Sequence, residues 1–487
     1  MSNNIDLLIK NGKIATASDF YQADIAIKNG VISQIGVIDS QAKKIIDAEK
    51  NIITPGGVDG HCHLDQPTDD NSVFADDFES GSKSAAFGGT TTIIPFALQP
   101  KGGSIKVAID EYHRKADGKS YVDYAFHMIL TDPSDEILKN ELPDLIRNGY
   151  SHFKIYMTYE SLKLNDMEIL KVLSFARDNG AMTMIHAEND DCITMLTKLL
   201  LESGKIKPKY HAVSRPIIME DEATYSAISM SELIDVPILI VHVSSERAMI
   251  QIQKAQSKGL NVYAETCPQY LFLTANDLDS EDFEGSKYIC SPPPRTVRDQ
   301  EKIWLGLKTG VFQVFSSDHA PFRFEGNRGK QIGGSETKFC SVPNGVPGIE
   351  TRMPLLMSKG VFEERIDIQK FVSITSTNPS KIYGLYPRKG TIAPGSDADI
   401  VIWNTKNKFN LSNSMLHHNV DYTPYEGLEL NAWPQTVISR GELIVESGNL
   451  VTETPQGIFL KSDLPEPAKT INKKSLLDRL EKNTFEK

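Results

Sequence analysis

The chain has few cysteines, and they lie far apart in the sequence. It contains five cysteines in 487 residues and no Cys-x-x-Cys pair. Closely spaced cysteines are typical of disulfide frameworks and of structural zinc sites. The sequence therefore predicts neither feature, and Cys267 and Cys290 are interpreted as small buried hydrophobic residues.

Long apolar runs and basic clusters are missing as well. No run approaches the roughly 18 apolar residues that span a bilayer, and the first residues, MSNNIDLLIKNGKIA, lack the basic start and apolar core of a secretory signal. The formal net charge of −12 argues against nucleic acid and anionic membranes as partners. With 40% hydrophobic and 24% charged residues, the chain has the composition of a globular protein, and we expect it in the cytoplasm.

Both ends of the chain show short strand-like segments separated by turns. Near the N-terminus these are IDLLIKNGKIAT, ADIAIKNGVISQIG and KIIDAEKNIITPGG, and the Asn-Gly pairs at positions 11–12 and 29–30 predict hairpins. Similar strand-like segments occur near the C-terminal end, in KGTIAPGSDADIVIWN and PQTVISRGELIVESGNL. The two ends are therefore predicted to be halves of one small β domain.

The middle of the chain alternates strand-like runs with helical stretches. Eight runs occur between residues 52 and 318: NIITPGGVDGH, GTTTIIPFAL, VDYAFHMIL, SHFKIYMTY, AMTMIHAEN, VPILIVHVSS, LNVYAETCPQ and GVFQVFSSDHA. Alternating strands and helices form a parallel sheet, and eight such units predict an α/β fold of the (β/α)8 TIM barrel type. A doubly wound open sheet is the alternative. No G-x-G-x-x-G or P-loop motif follows any run, so the sequence does not predict a nucleotide-binding site of either common type.

Polar side chains fall at the ends of these predicted strands. His61 and His63 end the first run, His186 and His242 end two later runs, and Asp318 ends the last. Residues two apart lie on the same face of a strand, so His61 and His63 can bind one ion. In a barrel the C-terminal strand ends meet at one mouth, where the chemistry of this fold is found. One histidine there is more often structural, but this set predicts a metal centre.

Lys154 is the unusual member of the fourth run, HFKIYM. A lysine in an apolar strand usually lies at an edge, where its amine reaches solvent. If the side chain is buried instead, the pKa of its ammonium falls and the neutral amine becomes a nucleophile. Such an amine can add carbon dioxide, and the resulting carbamate is an anion able to bridge two cations.

Several motifs, in their order along the chain, resemble those of the dihydropyrimidinase/hydantoinase family. The members of this family are cyclic amidohydrolases of the amidohydrolase superfamily. The motifs are PGGVDGHCHLD, ADDFESGSKSAAFGGTTTI, FKIYMTY, AETCPQYL, CSPPPR, SSDHAPF, PNGVPGIETR and VDYTPYEG. The resemblance implies a β-sandwich domain from residues 1–54 and 386–462, a catalytic (β/α)8 barrel over residues 55–385, and a C-terminal tail over residues 463–487.

The resemblance also implies a cofactor: two divalent metal ions, typically zinc in this family, with manganese, cobalt and iron as the alternatives. His61, His63 and Asp318 would hold one ion, and His186 and His242 the other. Lys154, carboxylated on its amine, would bridge the two ions together with a hydroxide. The implied activity is hydrolysis of the cyclic amide bond of dihydropyrimidines or hydantoins to N-carbamoyl amino acids.

Three further residues match family positions that act on the substrate. Asp318 would be the general base and then the general acid, and Tyr159 would donate to the oxyanion. Ser291 and Asn344 match positions that hold the cyclic imide, mainly through backbone groups. The partner implied is thus a small-molecule cyclic amide.

The loop DQPTDDNSVFADD departs from the family pattern, because Gln66, Thr68, Asp69 and Asp70 are polar. It suggests a pocket for small or polar 5-substituents, or for dihydropyrimidines themselves, to which Tyr156 would also contribute; a loop that faces solvent is the alternative. In the tail, the spacing of Ser475 and Asp478 predicts a capped helix, and three nearby leucines would form a short apolar stripe on it. The family resemblance implies that this tail contacts a neighbouring subunit of a homotetramer (or homodimer). A solvated, partly disordered tail is the alternative there.

Two other functions stay open at this point. One is an allantoinase or another cyclic amidohydrolase, which would use the same metal chemistry on a different ring. The other is a non-catalytic scaffold homologue, a type of relative that keeps the barrel but has lost metal ligands. All six predicted ligand positions are kept in this chain, which disfavours the scaffold.

Overall fold

The N-terminal segment contributes five strands to one mixed sheet. The computed structural model describes residues 5–68, 72–281, 283–470 and 475–485. The strands are Ile5–Ala15 (β1), Phe20–Lys28 (β2), Val31–Gly36 (β3), Ala42–Asp47 (β4) and Ile52–Pro55 (β5). Strand β1 pairs antiparallel with β2 and in parallel with β4 along its first half and with β5 along its second half.

The two Asn-Gly pairs have different roles. Asn29-Gly30 forms the predicted hairpin turn between β2 and β3, with φ of +52° and +77°. The hairpin predicted at Asn11-Gly12 is wrong, because this pair lies inside β1 where the register with β2 shifts. Asn11, with φ of +59°, belongs to a β-bulge.

The barrel follows β5 directly. Its parallel neighbours, in spatial and chain order, are Gly57–Cys62 (β6), Thr90–Leu98 (β7), His127–Ile129 (β9), His152–Tyr156 (β10), Met182–His186 (β11), Ile238–Ile240 (β12), Val262–Thr266 (β13) and Val314–Phe315 (β14); the short Asp123–Tyr124 (β8) pairs beside β7. A parallel bridge between Cys62 and His319 joins the first strand to the segment after the last. The predicted (β/α)8 TIM barrel is confirmed.

Helices cover the outside of the barrel. They are Phe78–Phe87 (α1), Ile105–Ala116 (α2), Leu142–Arg147 (α3), Asp166–Asn179 (α4), Asp190–Glu202 (α5), Tyr210–Ser214 (α6), Ile217–Ile234 (α7), Glu246–Ser257 (α8), Gln269–Phe272 (α9), Val297–Thr309 (α10), Arg352–Leu356 (α11), Ile368–Val372 (α12) and Asn378–Ile382 (α13). Helix α4 shows how the sequence sets such an element: Asn165 caps its first turn and Gly180, in the left-handed region, ends it. The largest hydrophobic core lies between these helices and the strands.

The C-terminal strands complete the small domain, as predicted. They are Ile400–Asn404 (β15), Trp433–Ser439 (β18), Glu442–Glu446 (β19) and Asn449–Leu450 (β20), whereas Phe409–Asn410 (β16) and Glu429–Leu430 (β17) pair with each other in a separate two-stranded sheet. Strand β15 pairs antiparallel with β5, so both ends of the chain meet in one nine-stranded sheet. A second core of mainly isoleucine side chains packs in this domain. The exact domain bounds stay a prediction.

The run NIITPGGVDGH does not form one barrel strand. It divides at Gly56 into β5, which belongs to the terminal sheet, and β6, which belongs to the barrel. A Cβ atom at Gly56 would lie 2.1 Å from Oγ1 of Thr91, and one at Gly57 would lie 2.3 Å from Sδ of Met353. Glycine is therefore needed where the chain passes closely from one domain to the other.

The tail ends in the helix Leu476–Phe485 (α14). The backbone N–H of Asp478 donates to Oγ of Ser475 at 3.1 Å, which is the N-terminal cap that the sequence predicts. Leu476 packs against the main core, whereas Leu477 is 70% exposed. Among the described helices, none is long and apolar enough to cross a membrane.

Candidate metal centre and active site

The predicted site residues converge at the C-terminal mouth of the barrel. A cavity of about 910 Å³ opens there, and its lining includes His61, His63, Tyr159, His186, His242, Ser291, Asp318 and Asn344. Lys154, the remaining predicted site residue, is fully buried in β10. The fold therefore brings together residues that are up to about 280 positions apart. The histidines, Lys154, Tyr159 and Asp318 lie in or just after barrel strands, whereas Ser291 and Asn344 come from longer connections.

His61, His63 and Asp318 form a compact group that could hold a metal ion. One ligand atom from each lies within 4.8 Å of the others. The Nε2 atoms of His61 and His63 lie 3.3 and 3.5 Å from Oδ1 of Asp318. Asp318 is placed after β14 by a residue conformation with φ of +46°, so its carboxylate turns back over the mouth.

In both imidazoles the Nδ1 atom, which is not the one near Asp318, has a hydrogen-bond partner. Nδ1 of His61 lies 2.6 Å from the Glu265 carboxylate, and Nδ1 of His63 lies 2.8 Å from the side-chain oxygen of Gln66. A neutral imidazole that donates from Nδ1 has its lone pair on Nε2. Both lone pairs are therefore directed toward Asp318, as metal binding requires.

His186 and His242 form the second histidine pair. Nδ1 of His186 lies 2.9 Å from Nε2 of His242, and Nε2 of His186 lies 2.8 Å from the carboxylate of Glu188. Glu188 in turn accepts from Arg215 at 2.6 Å. Because His186 donates to Glu188, its Nδ1 atom carries a lone pair that faces His242.

Burial sets the protonation states of these groups. It lowers the pKa of the His61, His186 and His242 imidazoles, which are therefore neutral at pH 7. Burial acts to raise the pKa of Asp318, but His61, His63 and Lys154 act more strongly together and lower it. Neutral imidazoles around one carboxylate are the form in which such residues bind metal.

Lys154 has the environment that the sequence predicts. Its Nζ atom is buried 5.3 Å from the Phe96 ring centroid and 5.2 Å from that of Tyr156. Within the described residues, Nζ has no hydrogen-bond partner. Burial lowers the pKa of Lys154, which favours the neutral, nucleophilic amine.

Tyr159 and Asn344 face each other across the cavity. The side-chain amide of Asn344 donates to Oη of Tyr159 at 3.4 Å, and the Arg215 guanidinium lies 5.3 Å from the tyrosine ring centroid. Burial raises the pKa of Tyr159, so its hydroxyl keeps its proton and can donate. Oγ of Ser291 lies 3.4 Å from Nε2 of His211.

Sequence reasoning missed Glu265, Glu188, Arg215 and Lys330. Glu265 lies in β13 within AETCPQYL, and Glu188 follows His186 by two residues, so a search for carboxylates near strand ends would have found both. Arg215 lies in the link between α6 and α7, and Lys330 lies in the long loop after β14; strand spacing carries no signal for either position. Gln66 lines the cavity, and its side-chain oxygen also lies 2.8 Å from Nδ1 of His63, a contact that the sequence did not predict.

Thr68 and Phe74 of the same loop also line the cavity. Thr68 donates to the backbone oxygen of Ser72 at 2.7 Å. Asp69 and Asp70 lie outside the described residues. Beside His63, Phe74 stacks against Phe322 with ring centroids 4.5 Å apart, so this part of the cavity wall is aromatic.

Comparison with known proteins assigns the family. The model of the amidohydrolase family matches residues 52–444. The chain belongs to this family. It is 44% identical over 457 residues to the D-hydantoinase of Geobacillus stearothermophilus, covering 93% of this chain and 96% of the relative. It is 40% identical over 460 residues to the D-hydantoinase of Rhizobium radiobacter, covering 94% and 99%.

A solved structure agrees with this assignment. The dihydropyrimidinase from Brevibacillus agri NCHU1002 superposes with a TM-score of 0.91 at 42% identity, covering 94% of this chain and 98% of that one. The predicted membership of the hydantoinase group of amidohydrolases is confirmed. A metal centre is implied by the family, and the His61, His63 and Asp318 group is a possible site for it.

Proposed function

We propose that the protein hydrolyses the amide bond of a cyclic imide, a dihydropyrimidine or hydantoin, to the N-carbamoyl amino acid. The observation that carries the proposal is the convergence of four histidines and Asp318 on one cavity that Tyr159 and Asn344 also line. Membership of the hydantoinase group supports the choice of ring-opening hydrolysis over other amidohydrolase reactions.

The donor set fits two divalent ions, for which we propose zinc. His61, His63 and Asp318 would hold one ion, and His186 and His242 the other. The amine of Lys154, which has no hydrogen-bond partner among the described residues, would be carboxylated and bind both ions. When bound, the ions supply an acidic water as the source of hydroxide and polarise the substrate carbonyl.

The protein's own residues would then carry the proton and the developing charge. Asp318 would take the proton of the nucleophile on a carboxylate oxygen and return it to the ring nitrogen that leaves. Oη of Tyr159 would donate to the oxyanion of the tetrahedral intermediate. Backbone groups of Ser291 and Asn344 would orient the ring. The raised pKa of Tyr159 supports its role as a donor at neutral pH.

Hydrolysis of dihydrouracil, hydantoin and allantoin by metal-supplemented protein tests the proposal. The substitution Lys154→Ala should abolish turnover, whereas Lys171→Ala, at an exposed position of α4, should leave it unchanged. Activity on allantoin alone would move the protein to the allantoinase reaction. No turnover of any ring, with metal bound, would overturn the proposal. The absence of stoichiometric metal by elemental analysis would favour a scaffold homologue.

The size of the preferred substrate can be tested by comparing the hydrolysis rates of a small ring and a phenyl-substituted ring. The polar loop residues predict a preference for dihydrouracil, but the aromatic wall of Phe74 and Phe322 offers a surface for larger apolar substituents. Rates with dihydrouracil and 5-phenylhydantoin would decide, and a strong preference for the phenyl compound would overturn the prediction from the loop.

We also propose a homotetramer. Two neighbouring helices present exposed apolar side chains, Met195 and Leu199 on α5 and Ile218 and Tyr225 on α7, with exposures between 41% and 62%. Contiguous exposed apolar patches often mark association surfaces, and we propose that these four side chains form one. We call this set the α5–α7 face. The cytoplasmic location and the contact of the tail with another subunit stay predictions.

A further inference from the structure

A buried lysine joins the two backbone segments that are proposed to hold the substrate. We call residues 289–291 and 343–345 the imide segments, because they contain Ser291 and Asn344. The side chain of Lys330 is fully buried between them. Its Nζ atom donates to the backbone oxygens of Ile289 at 2.8 Å, Pro343 at 2.7 Å and Gly345 at 2.6 Å.

These three bonds use all the donors of a protonated amine. An ammonium carries three N–H groups and a neutral amine two, so the geometry matches the charged form. Within the described chain, no ion pair joins Lys330 to a carboxylate, and burial lowers its pKa to about 7. A buried cation without a countercharge is costly. A purely structural link between two loops would be made more cheaply by a neutral donor.

The charge acts on peptide groups beside the cavity. The carbonyl of Pro343 belongs to the same peptide group as the N–H of Asn344. A charge-assisted hydrogen bond at the carbonyl oxygen polarises that group and makes its N–H a stronger donor. The imide segments also touch directly, because the N–H of Gly345 donates to the oxygen of Ile289 at 2.9 Å.

We propose that Lys330 is a positioning residue for substrate binding. Its ammonium fixes the separation of the imide segments and strengthens the Asn344 N–H as a donor to the cyclic imide. Lys330 does not line the cavity itself, so it acts through these segments. The inference rests on the proposed function, since it takes the imide segments as the place where the ring binds.

Two substitutions test the role of the ammonium. Lys330→Met keeps the length of the side chain but removes charge and donors, and Lys330→Gln keeps a neutral donor. Lys338→Met, at an exposed position eight residues further along, is the matched control. In metal-loaded enzyme we expect KM for dihydrouracil to rise about tenfold in Lys330→Met and less in Lys330→Gln, with kcat within about threefold of wild type. Metal content and melting temperature are measured for each variant.

Several results would overturn the inference. One is an unchanged KM in a folded Lys330→Met variant, and another is a fall in kcat at constant KM. If neither variant folds, hydrogen exchange of the wild-type protein decides: the imide segments should exchange together with the segment around Lys330, and independent exchange contradicts the proposal. If wild-type protein opens none of the rings, the proposed function fails first, while hydrogen exchange still reports on the link made by Lys330.

Discussion

Nδ1 of His61 lies 2.6 Å from Oε1 of Glu265, and both side chains are buried. The same carboxylate oxygen accepts from the backbone N–H of His242 at 3.1 Å, and its partner oxygen accepts from Oγ of Ser316 at 2.9 Å. One carboxylate therefore orients the ring of one proposed ligand and the backbone of another. By accepting from Nδ1 of His61, it leaves the lone pair on Nε2, which faces Asp318.

Glu265→Gln should weaken metal binding. The amide keeps the size of the side chain, but its oxygen is a weaker acceptor for His61 than a carboxylate. We expect metal affinity or activity to fall by roughly 10–100-fold. Competition with a chelator measures the affinity, and Glu453→Gln, at an exposed position, is the control. Equal affinity in Glu265→Gln and wild type would show that Glu265 does not orient His61.

The clustering of the candidate metal ligands could be predicted from the sequence because strands have a simple periodicity. His61 and His63 lie two residues apart, and His186 ends a strand, so a same-face, strand-end argument reaches them. Tyr159 depends on a loop conformation with φ of +70°, and the family match rather than spacing indicated it. The contacts of Lys330 with Ile289 and Pro343 join loops whose paths no local pattern specifies.

Two errors in the predicted fold also arise because local sequence patterns do not specify tertiary pairing. Apolar residues continue through NIITPGGV, so hydrophobicity alone does not reveal that β5 and β6 belong to different sheets. Asn11-Gly12 has the composition of a hairpin turn, but its left-handed conformation can also form a bulge. Tertiary pairing decides between the two.

Gly60→Ala should disturb the strand that carries His61. A Cβ atom at this position would lie 2.1 Å from Cε2 of Tyr383, a buried ring. Overpacking of this kind costs about 1–3 kcal/mol of unfolding free energy, and displacement of β6 should also lower the metal content. Thermal unfolding and elemental analysis measure the two effects.

A second substitution separates the steric clash from other causes. Tyr383→Leu removes the ring, so the double variant should lose less stability than the sum of the two single variants. Strict additivity would mean that the contact with Tyr383 is not the reason for the defect.

The stability of the protein should depend on pH through His152. Burial lowers the pKa of His152 to about 3, whereas an unfolded histidine has a pKa of about 6.5. Below about pH 6.5 the unfolded chain therefore binds a proton that the folded chain does not bind, and stability falls as the pH decreases toward 3. His152→Gln removes this contribution. As the pH falls from about 6.5 toward 3, the unfolding free energy of wild type should therefore decrease more steeply than that of the variant, with the two slopes differing by up to about 1.4 kcal/mol per pH unit. Parallel pH profiles of the two proteins would contradict the buried neutral state.

Tyr225→Asp should dissociate the proposed tetramer into smaller species. Tyr225 is 62% exposed on the α5–α7 face, and a carboxylate buried there between two subunits would lose its hydration without gaining a partner. Val107→Asp is the matched control, because Val107 is 60% exposed on α2, away from this face. Size-exclusion chromatography with light scattering should give a smaller mass for Tyr225→Asp alone. Because the site residues all come from one chain, ring opening should persist in the smaller species; an unchanged mass would mean that subunits associate through another surface.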